Sequence, residues 1–223
     1  MDRKLIAGIV LLIPFSYIYG LSLLSLFIKS AGIITPSILV LSLLMNLLVM
    51  GGSSILCIYV LYGGSFRDIL HKLYFRKEGT LRSSVMGIAT AIIFIFSVAI
   101  FVSFLQGLGY GTENEMAQEI AENVNLPLLF VIPFLSALSE EIFFRAFLQM
   151  RMAKFLGQPA AIFISSSLFA IAHISYKNPL QIAIPFILGI ALGYLMMKNE
   201  NVMAPFSAHF AFNFIQLAPF VFT

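Results

Sequence analysis

Seven long apolar stretches constrain this chain more than any other feature of its sequence. A helix that crosses the apolar core of a bilayer needs about 20 mostly apolar residues, and its backbone must satisfy its own hydrogen bonds there. The sequence therefore predicts an all-α, polytopic transmembrane bundle that forms one integral membrane domain over residues 1–223. The predicted spans lie at residues 5–28, 36–62, 83–107, 126–149, 160–176, 180–197 and 202–222.

The composition excludes other classes of protein. Only 10% of the residues are charged and 60% are hydrophobic, whereas a soluble domain has about 25% charged residues. The high apolar content also excludes disorder. With a net charge of +3 and basic residues scattered over the loop ends, no nucleic-acid partner is predicted. The single cysteine, Cys57, excludes an intramolecular disulfide and a cysteine-cluster metal site, and its apolar surroundings predict a small buried side chain.

The basic residues predict an orientation through the positive-inside rule. With the N-terminus in the cytoplasm, only Lys29 and Lys177 face the outside. The opposite, cytoplasmic side then holds Arg3, Lys4, Arg67, Lys72, Arg76, Lys77, Arg82, Arg151, Lys154 and Lys198. The sequence therefore predicts a cytoplasmic N-terminus and, with seven spans, a C-terminus on the outside.

Two connecting segments predict short interfacial helices. The first has a polar face at Arg67, His71 and Lys72, and it suits the anionic surface of the cytoplasmic leaflet. Its apolar face follows helical spacing at Phe66, Ile69, Leu70, Leu73 and Tyr74. The second segment, at 108–125, has a weaker stripe opposed by glutamates, and either a capping helix or a solvated acidic loop fits it. That stripe consists of Met116, Ile120 and Val124.

Few ionisable groups remain inside the predicted spans. A charged side chain at the bilayer centre costs at least about 2.5–3.5 kcal/mol, so these groups indicate a functional site. Glu141 and Arg145 are four residues apart, a spacing at which they can pair on one helix face. The whole set is Glu140, Glu141, Arg145, His173 and His209, with Asn213 as a polar companion.

A carboxylate and two imidazoles in a protected cavity suit general acid–base hydrolysis. Glu140 could take a proton from a water that attacks a peptide carbonyl, and His173 could hold that water or relay its proton. His209 and Asn213 could donate hydrogen bonds to the developing oxyanion. The pair of Glu141 and Arg145 would then be structural.

Other intramembrane hydrolases lack support in the sequence. It contains no HExxH motif for a zinc protease and no GxSxG motif for a serine hydrolase. The stretch Gly51-Gly52-Ser53-Ser54 is better explained by close helix packing. The only aspartates, Asp2 and Asp68, lie outside the predicted spans, which excludes an aspartyl dyad within the membrane.

Three motifs resemble a known family when they are taken together and in this order. Residues 140–145 fit EExxxR, residues 169–173 fit FxxxH, and residues 209–213 fit HxxxN, with a Gly-rich stretch at 185–194. They resemble the CPBP family of intramembrane proteases, which contains CAAX prenyl proteases of the Ras-converting type and bacteriocin-processing or immunity relatives. The resemblance covers about residues 125–215, the motif-bearing core.

The resemblance implies catalytic roles for individual residues. It implies water activation by Glu140 with His173, and supporting or oxyanion roles for His209 and Asn213. Glu141, Arg145 and Phe169 would support the site. The substrate would be a peptide or protein, either with a prenylated CAAX C-terminus or a bacterial peptide, and membrane lipids would be further partners.

The residues permit both a metal-free mechanism and a metal-dependent one. Glu140, His173 and His209 could supply three ligands to zinc. We favour the mechanism without a metal, because Asn213 suits the role of an oxyanion donor. The prediction is therefore a glutamate-type protease with no cofactor, and zinc is the alternative.

Two other functions use the same residue types. A proton-coupled transporter also places carboxylates and histidines within the membrane, but it needs a pathway to the outer face, whereas the predicted polar set lies toward the cytoplasmic side. A non-catalytic scaffold or bacteriocin-immunity protein that binds a partner in the membrane is the third hypothesis. Substitution of Glu140 separates these functions.

Overall fold

The structure is a computed structural model that describes residues 2–27, 35–112 and 115–222. Every regular element in these ranges is a helix, which confirms the all-α prediction. In chain order the α-helices are α1 (Arg3–Phe27), α2 (Pro36–Asn46), α3 (Gly52–Tyr62), α4 (Phe66–Lys72), α5 (Thr80–Gly107), α6 (Glu115–Glu122), α7 (Leu126–Glu140), α8 (Met150–Leu156), α9 (Gln158–Ile171), α10 (Leu180–Asn199), α11 (Met203–Leu217) and α12 (Pro219–Phe222).

Six helical segments of the described ranges are long and apolar enough to cross a membrane. They confirm a polytopic bundle, with a span count close to the predicted seven. The six are Arg3–Phe27, Pro36–Tyr62, Thr80–Gly107, Leu126–Leu156, Gln158–Tyr176 and Leu180–Asn199.

The predicted seventh span, 202–222, is not one long helix. It consists of α11, with 15 residues, followed by the four-residue α12. At a rise of about 1.5 Å per residue, α11 is about 22 Å long, which is less than the roughly 30 Å of a bilayer core. The side of the membrane on which each terminus lies stays a prediction.

Two of the long segments contain π-helix, which sequence periodicity did not predict. Leu47–Gly51 joins α2 to α3, and Glu141–Gln149, here called π2, joins α7 to α8. All nine residues of π2 are buried. π-helix is rare and occurs frequently at functional sites. Its overlap with the EExxxR motif therefore indicates that this segment is part of a functional site.

Close packing around π2 explains several small residues. A Cβ atom on Gly193 would lie 2.7 Å from Oε1 of Gln149, and one on Gly51 would lie 4.0 Å from Cδ1 of Ile142. Gly51, Ser53 and Ser54 are buried, whereas Gly52 is partly exposed and a Cβ atom there would meet nothing within 4 Å, so close packing does not explain Gly52. Cys57 has no exposed surface, which agrees with its predicted structural role.

The segment between α3 and α5 contains a short helix, α4, at the place of the first predicted interfacial helix, and its location at a membrane surface stays a prediction. Ser65 caps α4 together with Asp68: its backbone N–H and its Oγ–H donate to Oδ2 of Asp68 at 2.9 and 2.7 Å. These two hydrogen bonds hold the pKa of Asp68 below its ordinary value, because they stabilise the carboxylate. Ile69 is buried while Arg67 and His71 are exposed, so α4 is amphipathic as predicted.

The predicted stripe in the acidic segment also forms a helix, α6. Ala121 and Val124 are 3% and 7% exposed, so the end of this segment packs onto the bundle. The side chain of Met116 lies outside the described part of the structure. Of the two interpretations of this segment, the helix is the one that the structure contains.

Candidate active site

The polar residues of the three motifs converge from three helical segments. Glu140 is the last residue of α7 and Glu141 the first of π2, so the two carboxylates leave the same chain at a change of helix type. His209 and Asn213 lie one turn apart on α11. His173 lies in the turn directly after α9.

Glu141 is the buried centre of charge in this site. Its Oε2 lies 3.3 Å from Nε of Arg145, and neither side chain has exposed surface. Its Oε1 accepts a hydrogen bond from Nδ1 of His209 at 2.8 Å. The spacing of four residues between Glu141 and Arg145 predicted this ion pair. It did not predict the hydrogen bond to His209, which lies 68 positions further along the sequence. Glu141 therefore also orients an imidazole, as carboxylates often do for histidine.

Glu140 points toward the other nitrogen of the same imidazole. Its Oε2 lies 3.9 Å from Nε2 of His209, and the carboxylate side chain is 16% exposed. Its Oε1 accepts a hydrogen bond from Oγ of Ser136 at 3.1 Å, and Nδ2 of Asn213 lies 3.4 Å from that same Oγ. Oε2 is buried and has no hydrogen-bond partner among the described residues. This oxygen can therefore accept a hydrogen bond from a water molecule.

Ser136 is a site residue that sequence reasoning missed. It lies four residues before Glu140 on α7, and it links the carboxylate to Asn213 on α11. The signal that could have identified it is its i, i+4 spacing to Glu140, which puts both side chains on one helix face.

Phe169 packs between the two histidines. Its ring centroid lies 4.8 Å from that of His173 and 5.8 Å from that of His209. The guanidinium of Arg145 lies 4.6 Å from the same centroid, within the range of a cation–π contact. A ring in contact with all three side chains is placed to hold them relative to one another, which supports the role that the FxxxH motif implies for Phe169.

His173 is held by the backbone of its own helix. Its Nδ1 lies 2.8 Å from the carbonyl oxygen of Phe169. A carbonyl only accepts, so Nδ1 carries the proton and Nε2 of the neutral ring is free to accept one. The ring of Tyr176 stacks on His173, with centroids 6.1 Å apart. No hydrogen bond joins His173 to Glu140 in the described residues, but the two are close enough to interact electrostatically.

Ser165 connects the buried charges to α9. Nη1 of Arg145 donates to Oγ of Ser165 at 3.2 Å, and that hydroxyl donates to the carbonyl oxygen of Phe144 at 3.0 Å. Neither Arg145 nor Ser165 has exposed surface. This serine lies outside the three motifs, and only the packing of α9 on π2 shows its role.

We expect Ser165→Ala to destabilise the protein by about 1–3 kcal/mol, because it leaves a buried guanidinium N–H without its acceptor. The neighbouring Ser166→Ala is the matched control. Ser166 is equally buried, and its Oγ has no hydrogen-bond partner among the described residues. Chemical unfolding of both variants in detergent measures the difference. Equal stability of the two variants would contradict this role of Ser165.

The arrangement offers no ready metal site. Across the described ranges, no three His, Cys, Asp or Glu side chains are grouped so that they could hold a metal ion. Glu140, His173 and His209, the alternative zinc ligands, therefore do not form a three-ligand set as placed here, and Nδ1 of His209 is already bonded to Glu141. We derive no catalytic step through a metal.

An apolar cavity of about 220 Å³ is lined in part by Glu141. It lies between α7, α11 and the segment that follows α4. Its walls are otherwise apolar, and they consist of Phe75, Phe134, Leu138, Val202, Met203 and Phe206. The cavity is placed to receive an apolar group next to the polar site.

Comparison with known families supports the resemblance of the motifs. Residues 122–215 match the family model described as type II CAAX prenyl endopeptidase Rce1-like. Residues 122–215 are therefore similar to this family. The matched segment is less than half of the chain, but it contains all three motifs, π2, α9 and most of α11. No curated protein and no solved structure gives a significant match.

The Rce1-like family is a protease family. Together with the six apolar helices, the match indicates an integral, multi-pass membrane protein. Helices α1 to α6 lie almost wholly outside the Rce1-like segment, which begins at the last residue of α6. Of these helices, α1 nevertheless contacts the end of α9 and π2 through Tyr19, Ser22 and Phe15.

Proposed function

We propose that this protein is an intramembrane endopeptidase that hydrolyses a peptide bond with water activated by Glu140. One observation carries the proposal: Oε2 of Glu140 is buried, has no hydrogen-bond partner among the described residues and lies 3.9 Å from Nε2 of His209, while Ser136 donates to Oε1 of the same carboxylate. Glu141 suits this role less well. Its Oε1 accepts a hydrogen bond from His209, and its Oε2, although without a hydrogen-bond partner among the described residues, lies 3.3 Å from Nε of Arg145.

The proposed reaction needs only side chains of the site and a water molecule. Glu140 takes a proton from the water as its oxygen attacks the carbonyl carbon of the peptide bond. The resulting oxyanion accepts hydrogen bonds from Nδ2 of Asn213 and from Nε2 of protonated His209, whose charge Glu141 stabilises. The peptide C–N bond then breaks. The proton held by Glu140 passes to the leaving amine through Nε2 of His173.

The apolar cavity beside Glu141 supports a substrate with an apolar group close to the cleaved bond. A prenylated CAAX C-terminus has this chemistry, and it agrees with the family description. A membrane-embedded peptide without a prenyl group is the other substrate that the site would accept. Both would reach the cavity from the bilayer.

Cleavage of a prenylated CAAX peptide by the purified protein tests this proposal. We expect hydrolysis of the prenylated peptide, slower hydrolysis of the same peptide without the prenyl group, and one ¹⁸O atom in the new carboxylate when the reaction runs in labelled water. Mass spectrometry of the products measures all three. If folded protein cleaves neither peptide nor a panel of bilayer-embedded peptides, the proposal is wrong.

A further inference from the structure

The end of α9 leaves backbone carbonyls that need donors. An α-helix does not satisfy its last four C=O groups internally, and within a membrane water is scarce, so each unpaired group is costly. α9 ends at Ile171, and His173 follows within two residues. The conformation of this turn therefore depends on what donates to its carbonyls.

Helix α1 supplies two side-chain donors to this helix end from outside the matched segment. Oγ of Ser22 donates to the carbonyl oxygen of Ala172 at 3.0 Å, and Oη of Tyr19 donates at 2.9 Å to that of Leu168, which also accepts the backbone N–H of Ala172 at 3.2 Å. Tyr19 and Ser22 are three residues apart, so they share one face of α1. Phe15 extends this face, with its ring 5.8 Å from the ring of Phe143 in π2.

The two hydroxyls bracket the carbonyl that holds His173. Nδ1 of His173 donates to the oxygen of Phe169, which lies between Leu168 and Ala172 in the chain. The orientation of that carbonyl sets both the direction of the imidazole and the nitrogen that carries its proton. A shift in either flanking carbonyl would therefore change the position of Nε2.

We propose that Tyr19 and Ser22 are positioning residues that hold His173 in its Nδ1–H tautomer with Nε2 directed into the site. The catalytic consequence rests on the proposed function, whereas the positioning itself does not. The N-terminal helix is then part of the catalytic apparatus, although neither residue belongs to the matched segment.

Nitrogen NMR of ¹⁵N-histidine tests the positioning without any activity. The chain contains three histidines, so the ring signals of His71, His173 and His209 can be assigned by substitution. We expect Tyr19→Phe/Ser22→Ala to move the His173 signals toward a mixture of tautomers. The signals of His71 and His209 should not change, and Ser22→Thr, which keeps the hydroxyl, should preserve the native His173 signals.

Two substitutions on the same helix are the matched controls. Tyr17→Phe removes a hydroxyl that bonds Oδ1 of Asn46, and Ser25→Ala removes one that bonds the carbonyl of Ser22 within α1. Neither should affect His173. An unchanged His173 in the double variant, or equal shifts in all three histidines, would overturn the proposal.

Kinetics add the functional consequence. We expect Tyr19→Phe/Ser22→Ala to lower kcat by about tenfold with KM nearly unchanged, because small misplacement of a catalytic group acts on the reacting step. If the wild-type protein shows no hydrolysis, the proposed function fails and the NMR result alone decides the positioning. If His173 shifts while kcat does not, His173 is positioned by α1 but does not take part in the reaction.

Discussion

We expect Glu140→Gln to lower kcat/KM by at least about 1000-fold, because an amide cannot accept the proton of the attacking water. The substitution keeps the size of the side chain and one oxygen that can accept from Ser136, so the geometry of the site should persist. Hydrolysis of the prenylated peptide by purified wild-type and variant protein measures the loss.

The control for this variant is Glu200→Gln, which removes a carboxylate 57% exposed and paired with Arg76. This variant should retain nearly full activity. Turnover by Glu140→Gln equal to that of the wild type would contradict the role of Glu140. Loss of proton flux in vesicles on the same substitution, with no hydrolysis by the wild type, would instead favour a proton-coupled transporter.

The second large effect that we expect is on stability. Arg145→Met should destabilise the protein by about 3–5 kcal/mol, because removal of one partner of a buried ion pair leaves the other charge uncompensated. Glu141 has no exposed surface, and His209 is then its one remaining partner of opposite charge among the described residues. Chemical unfolding in detergent measures the loss.

The double variant Glu141→Gln/Arg145→Met should be more stable than Arg145→Met alone, since no buried charge is then left unpaired. Arg151→Met is the control for loss of an arginine near the same segment. Arg151 is only partly buried and donates to the carbonyl oxygen of Lys72, so its loss should cost less. Equal losses for Arg145→Met and Arg151→Met would show that the ion pair does not stabilise the fold.

The residues of the site could be named from the sequence because charge is expensive in a membrane. Glu140, Glu141, Arg145, His173 and His209 stand out once the loop charges are removed, and local spacing predicts the pair of Glu141 and Arg145. Local spacing also could have identified Ser136. These inferences need only the geometry of a single helix.

The links between helices could not be predicted in this way. The hydrogen bond from His209 to Glu141, the contact of Arg145 with Ser165 and the bonds from α1 to the end of α9 each join residues far apart in the chain. Nothing in hydrophobic periodicity specifies which faces of two apolar helices meet. The prediction of seven full spans also overestimated the length of the last helix, because α11 ends at Leu217.

By itself, the sequence determined a polytopic helical membrane protein and the small set of polar residues of its candidate site, since lipid tolerates few charges without partners. Only the tertiary structure decided how the two adjacent glutamates differ. Packing of α9 and α11 against π2 buries Glu141 completely between Arg145 and His209, whereas the side chain of Glu140 is 16% exposed and lies 3.9 Å from Nε2 of His209. There are two physical reasons. The helix type changes between Glu140 and Glu141, so the two side chains point in different directions, and the partner His209 lies 68 positions away from Glu141 in the sequence.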